Sequence, residues 1–120
     1  MKVVIDTSAL MVPAEWGLDI FAALSALGYD EYYVPSAVRQ ELDMLEATKK
    51  VDRVKISLAR AIIEKCRLED VPGSADEAVL SLSKRLKAAA FTNDAALRSR
   101  LKREGVRTVF LRGRQKLAVD

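Results

Sequence analysis

A chain of 120 residues, half of them hydrophobic and 31% charged, fits one globular domain over residues 1–120 and excludes intrinsic disorder. It has no histidine and a single cysteine, Cys66, which excludes histidine triads, paired-histidine nucleases, histidine- or thiolate-ligated zinc and any intrachain disulfide. The net charge of +3 is too small to identify a partner by itself.

Residues 2–6 form a short β-branched run, the pattern of a buried strand, ending on Asp6. Residues 15–27 carry a helical stripe (Ile20, Ala23, Leu24, Leu27) that Gly28 stops. Residues 32–34 are a second short strand closed by Pro35, and Ser36 caps a helix with Val38, Leu42 and Leu45 on its apolar face. After a charged break at 49–53, Val54, Leu58, Ala61 and Ile62 mark a helix that runs to about residue 67. Residues 68–71 then read as a strand before the Pro72-Gly73 turn.

Ser74-Ala75-Asp76-Glu77 has the form of a capping box, in which Ser74 caps and Glu77 reaches back. Ala78, Val79, Leu82 and Leu86 follow at helical spacing. Residues 88–92 read as a strand, 93–105 as a helix, and 106–111 as a last strand followed by a basic tail. Strand and helix alternate, so right-handed crossovers predict a three-layer α/β/α sandwich around a central parallel sheet.

The distribution of charge is more informative than its sum. From Phe91 to the end there are eight basic residues against three acids, while the first ninety residues are net acidic. A basic quarter that includes Arg98, Lys102, Arg112 and Arg114 suits phosphate binding on one side, although solvated helix faces and a tail explain the same charges. An acid at position 6 comes too early for a secretory signal. No apolar run reaches the roughly 18 residues of a membrane span. The expectation is a cytoplasmic protein without membrane contact.

Ligands of an open parallel sheet bind at the carboxyl ends of its strands. Asp6 ends the first strand. Glu41 lies on the helix after the second, Asp76 in the first turn of the helix after the third, and Asp94 just beyond the strand of 88–92. Each has a structural explanation by itself: a strand-end turn for Asp6, a solvated face for Glu41, helix starts for Asp76 and Asp94. Gathered at one edge, four carboxylates repel unless a cation neutralises them. Carboxylates without nitrogen or sulfur partners select one or two hard ions such as Mg²⁺ or Mn²⁺. Ser8, Thr92 and Asn93 stand beside two of the acids and can support a carboxylate or a phosphate, or serve turns and caps. Trp16 and the other aromatics could stack bases, although packing explains most of them.

Four segments in order, Val3-Val4-Ile5-Asp6-Thr7-Ser8, Val34-Pro35-Ser36 with Glu41-Leu42, Ala75-Asp76-Glu77-Ala78 and Phe91-Thr92-Asn93-Asp94, resemble the PIN domain over nearly the whole chain. The resemblance implies Mg²⁺/Mn²⁺-dependent hydrolysis of phosphodiester bonds in single-stranded RNA. It implies Asp6, Glu41, Asp76 and Asp94 as the metal-binding set, Ser8 or Thr92 as support, and a homodimer. VapC-type toxins, paired with an antitoxin, commonly carry a further acid shortly after the last catalytic one. Here Ala95-Ala96-Leu97-Arg98 follows Asp94. The segment from Thr92 to Arg112 looks more like archaeal PIN proteins akin to ribosomal-RNA-processing endonucleases, which implies structured RNA and a pre-ribosomal partner. An RNA-binding or assembly module with little activity is the competing class. A small-molecule phosphatase with an Asp-x-Asp nucleophile is excluded by Asp6-Thr7-Ser8.

Overall fold

The computed structural model describes residues 1–120. Strand β1 (Lys2–Ile5) leads into three short helices, α1 (Thr7–Leu10), α2 (Val12–Trp16) and α3 (Ile20–Ala26). Strand β2 (Glu31–Pro35), helices α4 (Ser36–Ala47) and α5 (Arg53–Ile63), and strand β3 (Arg67–Glu69) follow. Helix α6 (Ala75–Leu86), β4 (Ala89–Phe91), α7 (Ala95–Arg103), β5 (Thr108–Arg112) and β6 (Lys116–Val119) complete the chain.

The six strands form one sheet in the order β3-β2-β1-β4-β5-β6. All neighbours are parallel except β5 and β6. The centre is β1, with Val3 paired to Tyr32 on one side and to Ala89 on the other. A central parallel strand is covered on both faces, so it needs an unbroken apolar run, and Val3, Val4 and Ile5 are all fully buried. Phe91 on β4, Leu82 on α6 and Leu97 and Leu101 on α7 complete this part of the core. Helices α1, α2, α4 and α5 pack on one another, while Glu77–Arg100 and Lys84–Glu104 ion pairs join α6 to α7. These are the two helical layers expected of the sandwich.

The chain order places β1 and β4 side by side at the point where the sheet reverses direction. From β1 it grows to β2 and β3 on one side, and from β4 to β5 and β6 on the other. Connections on either side of such a point leave in opposite directions, which opens a crevice at the carboxyl ends of the two strands. Asp6 and Thr92, each one residue past its strand, lie there.

Four expectations change. Ser36 does not cap α4: Pro35 holds the N-cap position, and the Ser36 hydroxyl donates to Asp70 at 3.1 Å. The stripe assigned to residues 15–27 is not one helix: Gly17 takes φ +67° to end α2, and Asp19 caps α3 by accepting from the amides of Phe21 and Ala22. The basic tail is instead half of a β-hairpin, in which Arg112 pairs with Lys116 and Phe110 with Ala118. The capping box is one-sided. Ser74 accepts from the Glu77 amide at 3.3 Å, but the Glu77 carboxylate goes to Arg100 at 2.9 Å.

Candidate active site

Asp6 follows β1 and starts α1, yet its carboxylate does not cap that helix. The side chain is buried, at 5% exposure, and Oδ2 accepts from Thr92 Oγ1 at 2.7 Å and Ser8 Oγ at 3.0 Å. Each hydroxyl also accepts a backbone amide, Ser8 from Asn93 at 2.9 Å and Thr92 from Asp94 at 3.1 Å. Both hydroxyl protons are thereby directed at the same carboxylate oxygen, with the two hydroxyl oxygens 3.2 Å apart. Oδ1 receives no protein donor. It is not a buried orphan either, for the buried side-chain oxygens without partners belong to Thr7, Ser83 and Thr108. One oxygen is clamped and the other remains open.

Asp94 caps α7 through Oδ1, which accepts from the amides of Ala96 and Leu97, and Oδ2 has no protein partner. Asp76 stands in the first turn of α6, where Ser74 is the cap, and its carboxylate makes no hydrogen bond or ion pair. Its pKa is raised, first by desolvation and then by repulsion from Asp6 and Asp94, with Arg100 opposing. Three acids from β1, α6 and α7 therefore share one electrostatic neighbourhood, and each keeps at least one oxygen uncommitted to folding. Glu41 is exposed on α4 without an ion pair, and it is not among the charges acting on Asp76. No three of the acidic side chains close into a ready-made chelate. The donor set nonetheless suits a hard divalent cation, being all oxygen, mutually repulsive and partly open.

Asn93 ties the edge together. Its Oδ1 accepts from the Leu111 amide at 2.8 Å, joining the end of β4 to β5. Asp70, which the sequence reading passed over, follows β3 at the same edge and accepts from Ser36 Oγ at 3.1 Å. The strand expected at residues 68–71 ran through Asp70, which hid its place at the strand end.

The basic residues divide. Arg112, the last residue of β5, and Arg114, in the turn of the β5–β6 hairpin, are exposed at the carboxyl end of β5 and hence on the edge that carries the acids. The Arg114 guanidinium lies 5.7 Å from the Trp16 ring centroid. Arg98 lies 3.9 Å from the Phe110 ring centroid and 3.6 Å from a carboxylate oxygen of Asp120. Lys102, two turns along α7, pairs with Asp120 at 3.4 Å and is drawn away from the acidic edge.

Comparison with known proteins bears on the family and the fold. The family model described as PIN like domain matches residues 3–114. Comparison with curated proteins gives no match. Among solved structures, the chain is similar to the PIN domain endonuclease Utp24, with TM-score 0.77 and 21% identity over 99% of this chain and 90% of the other. It is also similar to a domain of a functionally unknown protein from Methanocaldococcus jannaschii, with TM-score 0.70 and 17% identity over 93% and 91% of the two chains. A PilT N-terminus domain protein from Sulfolobus solfataricus gives TM-score 0.53 and 14% identity, over 92% and 87%. These likenesses are of fold, and the family model spans both ends of the acidic edge. The chain belongs to the PIN-like domain family.

Proposed function

We propose that the protein is an endoribonuclease that hydrolyses phosphodiester bonds of single-stranded RNA at this acidic edge. The observation that carries the reading is the trio Asp6, Asp76 and Asp94. It gathers at the sheet's switch point with open oxygens, and the Asp76 carboxyl is pushed up first by burial and then by repulsion from Asp6 and Asp94. Repulsion among carboxylates that Arg100 offsets only in part works against folding, which supports a role outside folding.

Asp6, Asp76 and Asp94 would hold Mg²⁺ or Mn²⁺, with Glu41 as the fourth acid. A bound divalent ion lowers the pKa of an attached water and stabilises charge on a phosphoryl oxygen. The protein's own part is positioning. Ser8 and Thr92 lock Asp6 Oδ2, so Oδ1 is presented in one orientation. The α7 cap holds Asp94 in place through the other of its oxygens. Arg112 and Arg114 supply positive charge beside the acids, where the flanking phosphates of a strand would lie. Among cellular roles we favour processing of a larger structured RNA over a toxin role, because a basic hairpin accompanies the acids and no second acid follows Asp94.

The test is incubation of labelled single-stranded RNA with wild type, Asp6→Asn and Asp94→Asn, in Mn²⁺, Mg²⁺ or chelator. Cleavage that needs the metal and drops by about 10²–10³-fold in each variant is expected, the scale of losing one electrostatic stabiliser. Equal cleavage by variants and wild type would remove the assigned site. RNA binding without cleavage in any metal would favour the assembly module. Induced expression in a bacterial host decides the role: growth arrest dependent on Asp94 would favour the toxin.

A further inference from the structure

Beside the acids the edge opens into a groove of about 350 Å³, within the range of pockets that enclose small ligands. It is lined by Ser8 and Asn93, the two residues that meet through the Asn93 amide and the Ser8 hydroxyl next to Asp6. Trp16, Met11, Leu111 and Arg98 line it as well. Trp16 is the only tryptophan and is 44% exposed, although Met11 and Val12 of the same short segment are buried. Its position comes from the break that Gly17 makes after α2, which leaves the ring at the rim rather than in the core. Arg114 approaches the ring from the hairpin turn at 5.7 Å, a loose contact beside a large indole surface.

We infer that this groove is a stacking subsite for one unpaired base of the RNA strand, adjoining the phosphate held at the acids; this rests on the nuclease reading above. The Trp16 indole is the platform, with Met11 and Leu111 as apolar lining and Arg114 in reach of a phosphate. Stacking of this kind is tolerant of sequence, because every base has a π-face. A base in a duplex is already paired and stacked and is not free to lie on the indole, so the subsite favours single-stranded over duplex RNA. A protein ligand would have to meet Arg98, Arg112, Arg114 and the acids together, whereas a polyanion that carries flat rings complements both the charge and the indole. Glu15 also lines the groove and adds a carboxylate that can accept from the amino group of a base.

A single tryptophan makes the test direct. The wild-type protein in Ca²⁺, a hard cation that neutralises the acids, is titrated with a single-stranded hexaadenylate, while indole emission and the anisotropy of a labelled copy of the oligonucleotide are followed together. A hexamer with abasic sites and an RNA duplex serve as comparisons. The expected result is loss of at least half of the indole emission as the hexaadenylate binds, with little loss for the abasic strand. Trp16→Ala is expected to weaken binding by about tenfold or more, and Trp16→Phe to recover most of it, both with unchanged melting temperature. Binding by anisotropy with unaltered emission, and equal affinity in Trp16→Ala, would overturn the subsite while leaving the nuclease reading intact. Neither binding nor Mn²⁺-dependent cleavage of single-stranded RNA would overturn both. Equal quenching by abasic and normal strands would replace stacking with plain charge attraction and overturn the subsite.

Discussion

Asp6 owes its orientation to two hydroxyls that pass hydrogen bonds in one direction, from the amides of Asn93 and Asp94 to Oδ2. Thr92→Val keeps the shape and removes both the donor to Asp6 and the acceptor for the Asp94 amide. It is predicted to cost about 1–3 kcal/mol in urea denaturation, the cost of unpaired buried polar groups. Cleavage should fall at least about tenfold, as for a residue that orients a ligand. Asp76 makes the opposite kind of prediction. Its folded-state pKa is raised above the ordinary 3.8, so the folded chain holds this proton more tightly than the unfolded chain. Stability therefore falls as pH rises from about 3.8 through the raised value, and the penalty is complete above it. Asp76→Asn should raise the melting temperature at neutral pH, lose that advantage below pH 4, and abolish most cleavage. A lower melting temperature at pH 7 would contradict the charge account. At this scale the sequence was informative about Asp6 and Asp94, because strand ends are visible as the last residues of apolar runs. The relay through Ser8 and Thr92 was not, since it joins residues 84 positions apart in sequence.

The elements that position the site were legible where a local pattern and the tertiary context agree. Helix α6 begins where Ser74 caps it, and β1 is a run of three buried residues. The β5–β6 hairpin was not legible, because Lys116–Val119 is short and its charge looked like a solvated tail. Only its pairing with β5 shows that Phe110 and Ala118 stand opposite each other. Gly113, at φ +67°, was the sequence signal for the turn. The division of residues 15–27 had a signal too, in Gly17 and Asp19. This hairpin brings Arg112 and Arg114 to the acidic edge. Replacing both with Ala should raise KM for RNA more than it lowers kcat. It should also reduce the slope of log K against log salt by about 1.4, the value for two phosphate contacts on a single strand. An unchanged slope in binding titrations from 50 to 200 mM salt would take the hairpin out of the phosphate path.

For the whole molecule, strand order is the deciding feature. Placing β1 beside β4 brings the first acid of the chain to the last of the set, 88 positions later, and α6 delivers Asp76 between them electrostatically. Alternating strand and helix signals were enough for the parallel sandwich, whereas Glu41 rested mainly on the family resemblance and stands exposed on α4. A divalent ion that binds the folded acids and not the unfolded chain raises stability by about 2.7 kcal/mol at one hundred times its Kd. Mn²⁺ should therefore raise the melting temperature at pH 7. It should do so less at pH 4, where protons compete for Asp76, and little in Asp6→Asn. The most direct measurement of the central claim is the anomalous scattering of a crystal soaked in Mn²⁺. The account predicts a peak within about 2.0–2.6 Å of Asp6 Oδ1 and of a carboxylate oxygen of Asp76 or Asp94, the range for hard cations on oxygen. A soaked crystal with no peak at this edge, or with its peak elsewhere, would contradict it.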